Sequence, residues 1–128
     1  MADTDKKKIL VVEDDFFIRD LYEKQLQLSG FLVVGASDGE QGVEKTKQEK
    51  PDLVLLDIML PKMNGLDVLK NIKSNPEIKE TRIILLTNLG QESVIKEGFA
   101  LGAEGYLVKS AYTPSQVVEE VKNLLGQK

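Results

Sequence analysis

Four short apolar runs, each cut off by polar residues of a different chemical kind, constrain this chain more than any other feature. Ile9-Leu10-Val11-Val12 ends on Glu13-Asp14-Asp15, Leu53-Val54-Leu55-Leu56 on Asp57, Ile83-Ile84-Leu85-Leu86 on Thr87, and Tyr106-Leu107-Val108 on Lys109. Runs of this length and β-branched content have the pattern of strands buried on both faces, as in parallel sheets covered by helices. The segments between them have helical spacing, and strand–helix alternation calls for a parallel sheet with right-handed crossovers. Ligands in such sheets bind beyond the carboxyl ends of the strands. Side by side, these strand ends would bring three carboxylates, a hydroxyl and an ammonium together, a set suited to a divalent cation and a phosphoryl group.

The first helix is expected from about Phe16 to Ser29, with Phe17, Leu21 and Leu28 on one face and Gly30 as its stop. A second strand follows over Phe31 to Ala36. Ser37-Asp38-Gly39-Glu40 has the spacing of a capping box and starts a second helix that ends before Pro51. That helix carries little apolar surface, which predicts weak packing. The loop Ile58 to Gly65 turns through Pro61 and Gly65 into a third helix near Leu66, closed by Asn75-Pro76. A fourth helix over about Gln91 to Leu101 contains Gly98, at a cost of about 1 kcal/mol relative to Ala. Val117, Val118, Val121, Leu124 and Leu125 give a fifth helix a full apolar stripe.

A chain of 128 residues is the usual size of one domain, and no linker divides it. One domain over 1–128, with its core at about 7–126 and no output domain, is the expectation. Its 41% hydrophobic and 30% charged residues are those of an ordinary globular protein. A net charge of −4 argues against nucleic-acid binding, which needs a basic face. Lys6-Lys7-Lys8 precedes only a four-residue apolar run, so it is not the start of a signal peptide, and no run is long enough to span a bilayer. A cytoplasmic protein without membrane contact is expected. The chain has neither cysteine nor histidine, which leaves carboxylates as the side chains suited to a metal and points to magnesium, manganese or calcium.

Taken singly, each polar stop has a plain structural role. Asp57 could cap a turn, Asp15 could cap the first helix, Lys109 could reach to solvent, Thr87 could be a β-branched strand residue, and Tyr106 could be a core or rim aromatic. Together they support more. Packed carboxylates repel unless a cation lies between them. Magnesium takes one or two carboxylates and a phosphate oxygen and keeps several waters, which Glu13, Asp14 and Asp57 can satisfy. A carboxylate can also be a nucleophile toward phosphorus. Lys109 would then pair with Asp57 at rest and with a phosphoryl oxygen afterwards, and the Thr87 hydroxyl would donate to another.

The order V-V-E-D-D, L-L-D-I-M-L-P-K-M-N-G, L-L-T and G-A-E-G-Y-L-V-K resembles the receiver domain of two-component response regulators over nearly the whole chain. The resemblance implies a flavodoxin-like doubly wound α/β fold, a five-stranded parallel sheet of order 2-1-3-4-5 with five helices; the chemotaxis receiver is the standard example of that strand order. It makes Asp57 the phosphoacceptor, Glu13 and Asp14 the acidic pair for magnesium with the Met59 carbonyl assisting, and Thr87 and Lys109 the phosphoryl contacts. Manganese could substitute. Tyr106 would turn inward as Thr87 shifts, altering the surface of the fourth helix, fifth strand and fifth helix. Two positions depart from the family pattern. Ser110 replaces the usual proline after Lys109, and a cis bond there would cost about 3 kcal/mol, so the loop either carries that cost or runs trans. Asn88 replaces a small residue after Thr87 and, with Met59 and Leu89, is expected to alter water access to the phosphoryl group.

The reading that follows is a phosphoacceptor that takes its phosphoryl group from a partner's phosphohistidine, on a sensor histidine kinase or a histidine phosphotransfer protein, and signals to a downstream protein target. It would catalyse only its own phosphorylation and dephosphorylation, as a monomer or a phosphorylation-dependent dimer. The alternatives are a phosphorylation-independent scaffold, disfavoured by the presence of all five site positions, and a flavin binder, disfavoured by a Glu-Asp-Asp loop that would repel a phosphate.

Overall fold

A computed structural model describes residues 6–126; residues 1–5 and 127–128 of the expected domain lie outside the described residues. The elements alternate as β1 Lys8–Val12, α1 Phe16–Leu28, β2 Leu32–Ala36, α2 Gly39–Glu49, β3 Leu53–Leu56, α3 Gly65–Ser74, β4 Arg82–Thr87, α4 Glu92–Ala100, β5 Gly105–Val108 and α5 Pro114–Leu124. All strand pairs are parallel, in the order β2-β1-β3-β4-β5, which is the order expected from the sequence.

The apolar runs divide between two cores because successive strand residues point to opposite faces. Leu10, Val12, Val54, Leu56, Ile83 and Leu85 face one way, against Val43 of α2 and Val68, Leu69 and Ile72 of α3. Ile9, Val11, Leu53, Leu55, Ile84 and Leu86 face the other, against Tyr22 and Leu26 of α1 and Val117, Val118 and Val121 of α5. The central strands β1, β3 and β4 therefore need to be apolar throughout, and only their ends are free to be polar.

Three sequence expectations change. The face of α1 carrying Phe17, Leu21 and Leu28 points to solvent, and Phe17 and Leu28 are 81% and 83% exposed. The buried stripe is Ile18, Tyr22 and Leu26, one residue around the helix. The cap of α2 is Asp38, one residue later than expected: its carboxylate accepts from Gln41 N at 2.8 Å, while Ser37 donates to the Gln41 side chain. Nor is α2 loosely packed for want of large apolar residues. Its buried positions are Gly39, Gly42, Val43 and Thr46, and the glycines bring the helix close, so that a Cβ at Gly42 would come within 3.1 Å of Val12. In α4, Gly98 is the buried position, and a Cβ there would press on Leu85 and lie 3.4 Å from the Tyr106 ring.

Candidate functional site

The carboxyl ends of β1 and β3 place the acids. The ladder continues one residue past each strand: Glu13 N donates to Ala36 O at 3.0 Å and Asp57 N to Val12 O at 3.1 Å. This fixes both backbones where the side chains begin. Asp15 caps α1 by accepting from Phe17 N and Ile18 N, the plain role open to it, and does not join the acid cluster. Glu13, Asp14 and Asp57 do, each offering a carboxylate oxygen within 4.8 Å of the others. Glu13 and Asp57 are buried and Asp14 is exposed.

Lys109 reaches this cluster from the end of β5. Its Nζ donates to Asp57 Oδ2 at 2.9 Å and to Glu13 Oε1. No cis peptide occurs among the described residues, so the chain leaves Lys109 through a trans bond to Ser110 and a 3-10 turn over Lys109–Ala111. The departure at Ser110 leaves the ammonium on Asp57. Burial opposes charge on both sides of the pair. It raises the Glu13 pKa against the hydrogen bonds from Lys109 and from Asp15 N. It pulls Lys109 down, but hydrogen bonds to Glu13 and Asp57 outweigh it and the net shift is upward.

Thr87 ends β4, buried, with its hydroxyl accepting from Leu89 N at 3.4 Å. The loop after β3 folds back over Asp57, where Met59 N donates to Oδ1 at 3.3 Å, leaving the Met59 side chain exposed. Asn88 is exposed beside Thr87. Tyr106 is partly buried against the α4 side of the sheet, and its hydroxyl donates to Leu89 O, so the strand carrying the aromatic is tied to the loop after Thr87. Burial, with the Asp57 charge second, raises its pKa.

One contributor has no motif to announce it. Arg19, on the first turns of α1, donates from Nη1 to Glu13 O at 2.7 Å and lies over the Phe16 ring at 5.6 Å. It holds the peptide between the two acidic residues. Its i,i+4 relation to Glu23 reads in sequence as a surface ion pair, which hides this use.

Three carboxylates against one ammonium leave a local excess of negative charge, and oxygen-only donors with one exposed member match what magnesium accepts. The acid cluster thus fits a hard divalent cation. A cleft of about 370 Å³ lined by Lys50, Asp52, Glu77, Thr81 and Arg82 lies at the amino-terminal ends of the strands, away from this chemistry.

Comparison with known proteins shows the family of the chain. The family model for the response regulator receiver domain matches residues 9–122. The chain is 38% identical over 120 residues to the chemotaxis protein CheY of Thermotoga maritima, covering 92% of this chain and 97% of that protein. It is 40% identical over 119 residues to the alkaline phosphatase synthesis transcriptional regulatory protein PhoP of Bacillus subtilis, covering 93% of this chain and 48% of PhoP. The chain spans about half the length of the transcriptional regulators it matches. Among solved structures, the chemotaxis response regulator CheY4 of Vibrio cholerae superposes with a TM-score of 0.86 at 29% identity, covering 93% of this chain and 98% of that one.

Proposed function

Because the chain belongs to the response regulator receiver family of two-component signalling, we propose that it is a phosphoacceptor, with Asp57 taking a phosphoryl group from a phosphohistidine on a sensor kinase or histidine phosphotransfer partner. The observation that carries this is the meeting of Asp57 with two further carboxylates and the Lys109 ammonium at the ends of three strands. A carboxylate oxygen of Asp57 attacks phosphorus, the bond from phosphorus to the donor nitrogen breaks, and the imidazole leaves. Lys109, already on Asp57, exchanges a carboxylate oxygen for a phosphoryl oxygen, and the Thr87 hydroxyl donates to another. Magnesium, or manganese in its place, held by Glu13, Asp14, Asp57 and the Met59 carbonyl, would neutralise the carboxylates and polarise the phosphoryl group. Asn88, Leu89 and Met59 at the rim control water access, so Asn88→Ala changes the dephosphorylation rate; an unchanged rate removes that role.

The signal leaves through Tyr106. Its tie to Leu89 O lies one residue from Asn88 and two from Thr87, so a shift of Thr87 toward the phosphoryl group is felt by the ring and by α4, β5 and α5, the surface offered to a downstream protein. The direct test is incubation with magnesium and a small phosphodonor followed by intact mass measurement. Wild type gains one phosphoryl group and Asp57→Asn gains none. No gain in wild type, or an equal gain in Asp57→Asn, overturns the reading and leaves the fold as a scaffold.

A further inference from the structure

The loop Ile58–Asn64 carries the Met59 carbonyl, and something must hold that loop still if the carbonyl is to serve the metal. Its far end is pinned by Gly65, whose N donates to Ile58 O at 2.8 Å and where a Cβ would overlap Asp57 O. Its middle is pinned from outside, by the start of α2. Gly39 N donates to Pro61 O at 3.2 Å. A Cβ at Gly39 would overlap the Met63 carbonyl oxygen and stand 2.7 Å from its carbonyl carbon. Backbone cannot rotate away from such an overlap as a side chain can. The φ of Gly39 lies outside the left-handed region, so close approach, not backbone conformation, makes this residue glycine. Beside it, Asp38 is buried, caps α2 through Oδ1, and faces Lys62 Nζ at 3.7 Å from Oδ2. Lys62 itself sits at φ 70°, a conformation costly for a non-glycine residue unless its surroundings impose it.

We propose that Asp38 and Gly39 are positioning residues: the amino terminus of α2 clamps the Pro61–Met63 turn and thereby sets the metal affinity of the phosphoacceptor site. This rests on the metal-assisted reading given under Proposed function. The clamp joins two elements that share no motif, and neither residue touches the acids. Residues that hydrogen-bond a metal's own ligands control affinity by about ten- to a hundredfold in metal sites generally, and this clamp acts on the loop that carries one such ligand.

The test is Mn²⁺ binding to the full chain, followed by the paramagnetic resonance signal of the free ion, with thermal unfolding measured alongside. Gly39→Ala is expected to weaken Mn²⁺ binding about tenfold or more. Gly30→Ala is the control: Gly30 sits at φ 96° with nothing within 4 Å of its would-be Cβ, so it destabilises by strain remote from the loop and leaves Mn²⁺ affinity within about twofold. Should Gly39→Ala fail to fold, Asp38→Ala, which removes the cap and the Lys62 partner without adding bulk, is expected to lose affinity severalfold. Asp38→Asn, which keeps a capping oxygen, is expected to restore most of it. Wild-type affinity in Gly39→Ala or Asp38→Ala, or an equal loss in Gly30→Ala, overturns the clamp while leaving the phosphoacceptor reading intact. Absence of Mn²⁺ binding in wild type overturns the metal site and the clamp together, whereas wild-type Mn²⁺ binding without phosphoryl uptake defeats only the phosphoacceptor reading.

Discussion

Lys109 shows how two opposed effects are settled by geometry. Burial alone would lower its pKa, yet hydrogen bonds to Glu13 and Asp57 carry it above its ordinary 10.5. Tyr22 and Tyr106 are raised above 10.0 by burial. All three groups hold in the folded state a proton that the unfolded chain gives up, so their contribution is complete below about pH 10 and is lost as pH rises. Urea unfolding midpoints should therefore fall with increasing pH above about 10. Tyr106→Phe, which removes one titrating hydroxyl, should start from a lower baseline because it loses the bond to Leu89 O, and then fall less steeply. A slope equal to wild type would show that Tyr106 does not contribute. The acids and Lys109 were legible in the sequence because each stops an apolar run. Arg19 and Gly39 were not, because the one acts through a backbone carbonyl and the other through the absence of a side chain.

Helix α1 carries two apolar stripes that the sequence does not rank. Phe17, Leu21 and Leu28 repeat at helical spacing, and so do Ile18, Tyr22 and Leu26. Which stripe is buried depends on the rotation of the helix, and that is set by where Asp15 caps it and by the bond Arg19 makes to Glu13 O just past β1. Leu26 is fully buried and Leu28 is 83% exposed. Leu26→Ala should cost about 2–5 kcal/mol of stability, whereas Leu28→Ala should change it by no more than about 0.5 kcal/mol. Chemical denaturation of the two variants checks this, and comparable losses would mean that the helix is rotated from the position described. The cap of α2 has the same lesson. Both Ser37 and Asp38 suit a helix start, and the closer one wins because its carboxylate reaches Gln41 N. Helix α5 was legible from its apolar stripe, whose Val117, Val118 and Val121 are buried; the structure adds the capping box at Thr113 and Gln116 that starts it.

At the level of the domain, one sheet serves two cores, so neither layer of helices has a strand set of its own. Unfolding should accordingly be a single cooperative event. Helix content by circular dichroism and tyrosine fluorescence should give coincident denaturation curves, and both Val54→Ala and Leu55→Ala, which face opposite cores, should shift the whole transition; separate transitions would show that the layers are independent. The sequence by itself determined the strands, their alternation with helices, and which polar residues terminate them, because burial on both faces leaves a short, β-branched apolar run with polar or turn residues at its ends. With the family motifs it also pointed to the strand order now seen. Only the tertiary structure decided which way α1 is turned, that Ser110 leaves Lys109 on Asp57, and that α2 touches the loop after β3. Those outcomes depend on contacts between segments far apart in the chain, where a single carbonyl oxygen or a missing Cβ decides the fit, and no local pattern of residues encodes such a contact.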